Sequence, residues 1–244
     1  MGGVVQHESR ADASPRPLAS RRAMLGALLY LFLGPLLLFA AAGTVRWPMG
    51  WFYVALTLLL AIGSRVVVWR RNPDLLRERG RYASAEGAPG WDRVLSLGVG
   101  MVGPIIVGIV AGLHHRFGWP AVVPLGVQVL AAVLLAVNYG LGAWAMVSNP
   151  FFSAVVRLQG DRGHAVVAQG PYRWVRHPAY LGACIGILML PLMLDALWAL
   201  VPATLTAVAV VVRTALEDRF LRRNLPGYAD YAQRTRYRLL PGLW

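Results

Sequence analysis

The chain contains no lysine: all 24 of its Lys+Arg residues are arginine, set against only 11 Asp+Glu. Its single cysteine, Cys184, lies inside an apolar run, which excludes an intramolecular disulfide and a cysteine metal cluster. There is no H-E-x-x-H zinc pair and no G-x-S-x-G nucleophile elbow. Any chemistry must therefore come from a cofactor that the protein positions. Long polar segments are also scarce. With 57% hydrophobic residues over 244 positions, the chain is too oily for a soluble domain. The net charge of +13 does not imply nucleic acid, because the arginines sit in loops beside apolar runs, where positive charge orients membrane proteins.

What is abundant is apolar sequence in runs near the roughly 20 residues that cross a bilayer. Residues 1–21 read as a disordered polar tail. Six spans follow, at Ala23–Val45, Trp51–Trp69, Val94–Leu113, Ala121–Val147, Tyr180–Leu194 and Ala196–Val212. Ala40-Ala41-Ala42 mimics a signal-peptidase site, but the run before it is longer than the usual 7–15-residue h-region, so the first span is read as retained. Gly98-Val99-Gly100-Met101-Val102-Gly103 fits the dinucleotide pattern, yet it lies within a span and is read as close helix packing. Gln128 and Asn138 are expected to face other helices. Spans five and six form a hairpin with a tight turn near Asp195; the first of them is short for a full crossing. The expected fold is thus an all-α polytopic membrane protein of about six transmembrane helices, with a C-terminal helical hairpin and a cytosolic cofactor pocket. It divides into the tail (1–21), a four-span bundle (22–148) and a C-terminal region (149–244) ending in a polar arm from Glu217.

Arginine distribution orients this bundle. One set of flanks holds Arg10, Arg16, Arg21 and Arg22; Arg70, Arg71, Arg77, Arg79, Arg81 and Arg93; Arg157, Arg162, Arg173 and Arg176; and the C-terminal arginines. The other set holds only Arg46 and Arg116. The rich side, with both termini, is assigned to the cytoplasm of an integral membrane protein, expected in a bacterial inner membrane.

The main interruption of the oily second half is His164–Tyr180, H-A-V-V-A-Q-G-P-Y-R-W-V-R-H-P-A-Y. Pro171 and Pro178 keep it from forming one helix, and Pro178 suits the first turn of the following one. Polar groups gathered at a membrane-helix entrance are expensive to hold there, so the stretch reads as a small-molecule site. His177 alone has a plainer reading, as an interfacial helix cap. Arg213 and Glu217, four apart on one helix face, read either as an anchoring ion pair or as partners for an anion and an amine. The hairpin brings both toward His177 and Tyr180.

At these residues the chain resembles the isoprenylcysteine carboxyl methyltransferase family and its bacterial relatives. The resemblance runs from Asn149 to Trp244 and centres on G-P-Y-R-W-V-R-H-P-A-Y-L-G. It implies an integral-membrane methyltransferase using S-adenosylmethionine on a lipophilic acceptor, with a carboxylate such as that of a prenylated cysteine in view. By likeness the cofactor set is His164, Ala165, Val166, Val167, Tyr172, His177, Pro178, Ala179, Tyr180 and Glu217, with Gln159 added because Arg157 stands at the family's glutamine spacing. Arg213 falls on a substrate-contacting position, and Arg213, Glu217 and His177 are the expected catalytic set. Expected partners are a lipophilic small-molecule or lipid acceptor and the surrounding membrane lipids, with no nucleic acid and no metal. Two alternatives stay open: an NADPH-dependent membrane reductase of the sterol or steroid type, and a non-catalytic membrane protein.

Overall fold

Apolar runs with no period-2 alternation can satisfy their backbone in a bilayer only as helices. The computed structural model describes residues 21–73, 75, 89–120 and 122–244, with side chains from Phe32 onward except that of Asp161. The tail before Arg21 and Arg77, Arg79 and Arg81 lie outside the described residues. Among the described residues there are seven α-helices and no strand: α1 (Arg21–Ala42), α2 (Pro48–Arg71), α3 (Gly90–Phe117), α4 (Leu125–Ser148), α5 (Pro178–Met193), α6 (Leu200–Asn224) and α7 (Tyr228–Arg234). Among the same residues four helical segments are long and apolar enough to cross a membrane: α2, α3, α4 and Leu197–Asn224, which contains α6. At 16 residues, α5 is about 24 Å long, short of a hydrocarbon core of about 30 Å.

The packing explains several of the oddities in the sequence. The glycine motif in α3 is no nucleotide loop; it becomes a π-turn at Gly98–Val102. At Gly103, immediately after it, an added Cβ would collide with Thr206 of α6, so this glycine does serve close packing. Asn138 of α4 abuts Gly182 and Gly186, which lie four apart on α5, and a Cβ at either would strike its side chain. Gln128, expected to reach another helix, instead donates to the Val123 carbonyl in the turn preceding its own helix, at 2.8 Å. The backbone N–H groups of Val127 and Gln128, in the first turn of α4, bond the Pro124 carbonyl. The hairpin turn falls where expected: Asp195 adopts φ 55° and its carboxylate accepts the Val123 N–H at 2.7 Å.

Among the described residues, the arginines of the two sets lie at opposite ends of the bundle. Trp47 stacks on His115 and Gly43 abuts Arg116, at the same end as the Asp195 turn. The other end carries the start of α3, the end of α4, the start of α5 and the end of α6. The expected polar arm from Glu217 proves partly helical, because α6 runs on to Asn224 before α7 and a C-terminal turn fold back. With 25 residues, α6 outreaches its short partner α5, and its last two turns stand beyond the apolar bundle. There they meet the loop of residues 149–177.

Candidate functional site

The site starts from helix geometry at the head of α5. Pro178 occupies the first turn, where its missing N–H is no loss, and His177 takes the cap position. His177 makes no side-chain cap bond from that position, so its ring is available to other partners. Its ring is buried, stacks on Tyr180 at 5.8 Å, and puts Nε2 3.4 Å from the Tyr228 hydroxyl. Two residues on from Pro178, Tyr180 donates its hydroxyl to Glu217 at 2.6 Å, joining α5 to α6.

Beneath this pair lies a charge cluster built on Asp218. Its carboxylate, 1% exposed, accepts Arg176 Nε at 2.7 Å, Arg238 Nε at 3.0 Å, Arg222 Nε at 3.1 Å and the Tyr228 hydroxyl at 3.1 Å. Arg176 spends its other donors on the carbonyls of Thr235 and Arg236 at 2.7 and 2.8 Å, just past the end of α7. The Arg176 and His177 backbone N–H groups then bond the Tyr237 and Arg238 carbonyls. Arg176 thus clamps the C-terminal segment over the site; its charge is fully occupied.

A loop from the end of α4 makes the opposite wall. Tyr172 is buried, with its hydroxyl 3.3 Å from the Ala145 carbonyl, and Tyr231 donates to the Tyr172 carbonyl at 2.7 Å. Just before it, Gly170 holds φ 57° against Ser148 and Trp144, a close approach that only glycine permits. His164 lies tilted against Phe151 at 4.7 Å, and its Nδ1 accepts the Gln159 N–H at 3.3 Å.

These walls enclose a cleft of about 810 Å³ counted out to its open mouth. His164, Ala165, Val166, Val167, Tyr172, His177, Pro178, Ala179, Tyr180 and Glu217 all line it. Gln159 does not: it is fully buried in the loop, donating to the Phe151 carbonyl at 2.7 Å and accepting from Arg162, while Arg157 lines the cleft. Arg213 is not on the lining either. It sits behind Tyr180, its guanidinium 5.2 Å from that ring, and it pairs with Asp92 of α3 at 2.8 Å. The expected Arg213–Glu217 anchor is therefore replaced by two links, Arg213 to Asp92 and Glu217 to Tyr180.

Sequence reasoning missed Asp92, Asp218 and Tyr228. The available signal was the scarcity of acid: with 11 acidic residues in the chain, an aspartate at the mouth of an apolar helix asks for a partner.

The cleft is electrostatically quiet around its tyrosines. Burial pushes the Tyr172 hydroxyl above its ordinary value, and burial with the nearby Asp218 and Glu217 charges does the same to Tyr228. Burial likewise raises Tyr231 to about 12. All three are neutral donors at pH 7. Burial, helped by the guanidiniums of Arg162 and Arg157, holds His164 below its ordinary 6.5, which leaves Nδ1 free to accept. One carboxylate, one neutral imidazole, a second imidazole and apolar walls form a donor set suited to a small zwitterion with a flat aromatic end.

Residues 129–223 match the model of the isoprenylcysteine carboxyl methyltransferase (ICMT) family, which makes this part of the chain a relative of a methyltransferase family. Over 82 residues the chain is 39% identical to the cobalt-zinc-cadmium resistance protein CzcN of Cupriavidus metallidurans, covering 32% of this chain and 37% of that protein. Over 107 residues it is 32% identical to the nickel-cobalt-cadmium resistance protein NccN of Alcaligenes xylosoxydans xylosoxydans, covering 43% and 49%. The chain thus spans less than half the length of the curated relatives it matches. The chain thus combines a match to this family over residues 129–223 with helices long and apolar enough to cross a membrane.

Proposed function

We propose that this chain, a relative of the isoprenylcysteine carboxyl methyltransferase family over residues 129–223, is an S-adenosylmethionine-dependent methyltransferase acting on a lipophilic acceptor. The observation that carries the reading is the convergence of Glu217, His164, His177 and four tyrosines on one cleft at the polar end of an apolar bundle. When bound, S-adenosylmethionine supplies an electrophilic methyl group on a sulfonium. Glu217 would hold its ammonium, His164 and His177 would offer ring N–H donors to its carboxylate, and Val166, Val167 and Tyr172 would supply the apolar-aromatic surface for its adenine.

The residues act by placement rather than by bond making. Tyr180 orients the Glu217 carboxylate through their 2.6 Å bond, and His177 fixes Tyr180 from its other face. The clamp of Arg176 and Asp218 keeps the C-terminal segment folded over the cleft, and the apolar walls exclude water. For an in-line displacement, alignment and exclusion of water can provide most of the acceleration. Arg213, behind Tyr180 and already bonded through Nε to Asp92 and through Nη2 to the Ala154 carbonyl, is assigned to the polar end of the acceptor through its remaining nitrogen. A carboxylate matches that charged donor best. The acceptor's apolar body enters sideways from the bilayer, and the cleft faces the cytoplasm because its end of the bundle carries the arginines.

Membranes from cells expressing the protein, incubated with methyl-labelled S-adenosylmethionine, test the assignment. Label is expected in an organic extract and is expected to fall with Glu217→Gln. Label confined to water-soluble products refutes the lipophilic acceptor; no label in any fraction refutes the methyltransferase reading.

A further inference from the structure

Asp92 stands far outside residues 129–223, on the first turn of α3, yet it is fully buried against the candidate site. One carboxylate oxygen accepts Arg213 Nε at 2.8 Å. The other accepts the Val156 backbone N–H at 2.6 Å and the Ser96 hydroxyl at 3.3 Å. Arg213 in turn donates through Nη2 to the Ala154 carbonyl at 3.0 Å and lies over the Tyr180 ring. Ser153, Val155 and Val156 line the cleft. A single side chain from the N-terminal bundle therefore ties together a cleft wall, the arginine behind Tyr180 and, through Tyr180, Glu217.

We propose that Asp92 is a positioning residue for this site, setting both the Ser153–Val156 wall and the Arg213 guanidinium, so that the matched region is not a complete site without α3. The inference rests on the proposed cofactor cleft. Its chemistry is specific to a carboxylate. The two oxygens face donors on both sides, Arg213 Nε and the Val156 N–H, and both need an acceptor. An asparagine at 92 has one acceptor and one donor, so either orientation leaves an N–H pointing at an N–H. A carboxylate also neutralises Arg213, which would otherwise be a buried unpaired cation.

The test uses the full chain purified in detergent, with two measurements on each variant. Hydrogen exchange of the ligand-free protein reads the wall directly: Asp92→Asn is expected to raise exchange at Val155 and Val156 and leave the distant Asp195 turn unchanged. Calorimetric titration with S-adenosylmethionine is expected to show a loss of about tenfold to a hundredfold, the scale of a sub-ångström to ångström misplacement. A second variant, Asp92→Leu with Arg213→Met, removes both charges together and so avoids a stranded cation. It is expected to fold and to show the same loosened wall and weakened titration. Asp92 is refuted as a positioning residue if folded variants keep parental exchange at Val155–Val156 and parental affinity. It is equally refuted if neither variant folds, since its role is then in folding alone. If the parent itself gives no titration, the cofactor reading fails, while the exchange result still decides whether Asp92 holds the wall.

Discussion

Replacing Asp218 by asparagine is expected to destabilise the protein more than any other single change at the C-terminal end of α6. The aspartate and Arg176 side chains are each 1% exposed, and their fork is made through two bonds of 2.7 and 3.3 Å. Asparagine keeps the volume but removes the counter-charge, and it turns an amide N–H₂ toward Arg176, Arg238 or the Tyr228 hydroxyl. Breaking a buried pair by removing one partner costs about 3–5 kcal/mol, because the remaining charge stays buried. Arg176 keeps its bonds to the Thr235 and Arg236 carbonyls, which argues for the lower half of that range. Arg222→Ala is the matched control: it removes an i,i+4 pair to the same carboxylate from a side chain that is 44% exposed, and about 0.3–0.5 kcal/mol is expected. Unfolding in mixed dodecylmaltoside–SDS micelles, followed by far-UV circular dichroism, gives both numbers on one scale. A loss below about 1 kcal/mol for Asp218→Asn, or one equal to that of Arg222→Ala, would refute the clamp.

Three further outcomes follow from the same geometry. Glu217→Gln is expected to weaken S-adenosylmethionine binding by roughly 1.5–3 kcal/mol, the scale of a hydrogen bond to a charged group, with the unfolding midpoint nearly unchanged. His164 is held below its ordinary 6.5 by burial and by Arg162 and Arg157, so the folded state binds fewer protons than the unfolded one between those two values. Its contribution to stability is therefore complete above pH 6.5 and is lost as pH falls through the folded value; melting in detergent at pH 7.5 and 5.5 should show the drop, and His164→Asn should shrink it. Single cysteines at Arg46 or Arg116, in a Cys184→Ala background, are expected to react with an impermeant reagent added outside cells, whereas one at Arg162 is expected to stay silent; labelling at Arg162 would invert the orientation.

How much of this was legible in the sequence depends on the range over which each feature is encoded. The spans are written in contiguous apolar runs, and among the described residues four of the six expected are helices long enough to cross, while Pro178–Met193 is short; the hairpin turn at Asp195 falls where the runs place it. The stretch from His164 to Tyr180 was visible because its polar residues interrupt such a run. The partners of Arg213 and Arg176 were not visible, since Asp92 lies 121 residues from the first and Asp218 lies 42 from the second, and no local spacing encodes either pairing. Helical periodicity placed Arg213 and Glu217 on one face, which suggested that they bond each other. Tertiary packing offered each a better partner. Gln159 was chosen for its nearness in sequence to a family position, but a loop's own carbonyls claimed its amide, and Arg157 took the lining. The helical end of α6 was hidden by its charge. Its arginines look like a solvated arm until Asp218 gathers them.

The central claim is that the cleft bounded by Glu217, His177 and the loop of residues 149–177 takes S-adenosylmethionine. Equilibrium calorimetry on the purified full chain in detergent, with S-adenosylmethionine and NADPH titrated separately into one preparation, tests it most directly. Saturable binding of S-adenosylmethionine with no heat from NADPH is the predicted result; saturable binding of NADPH with none of S-adenosylmethionine would contradict it.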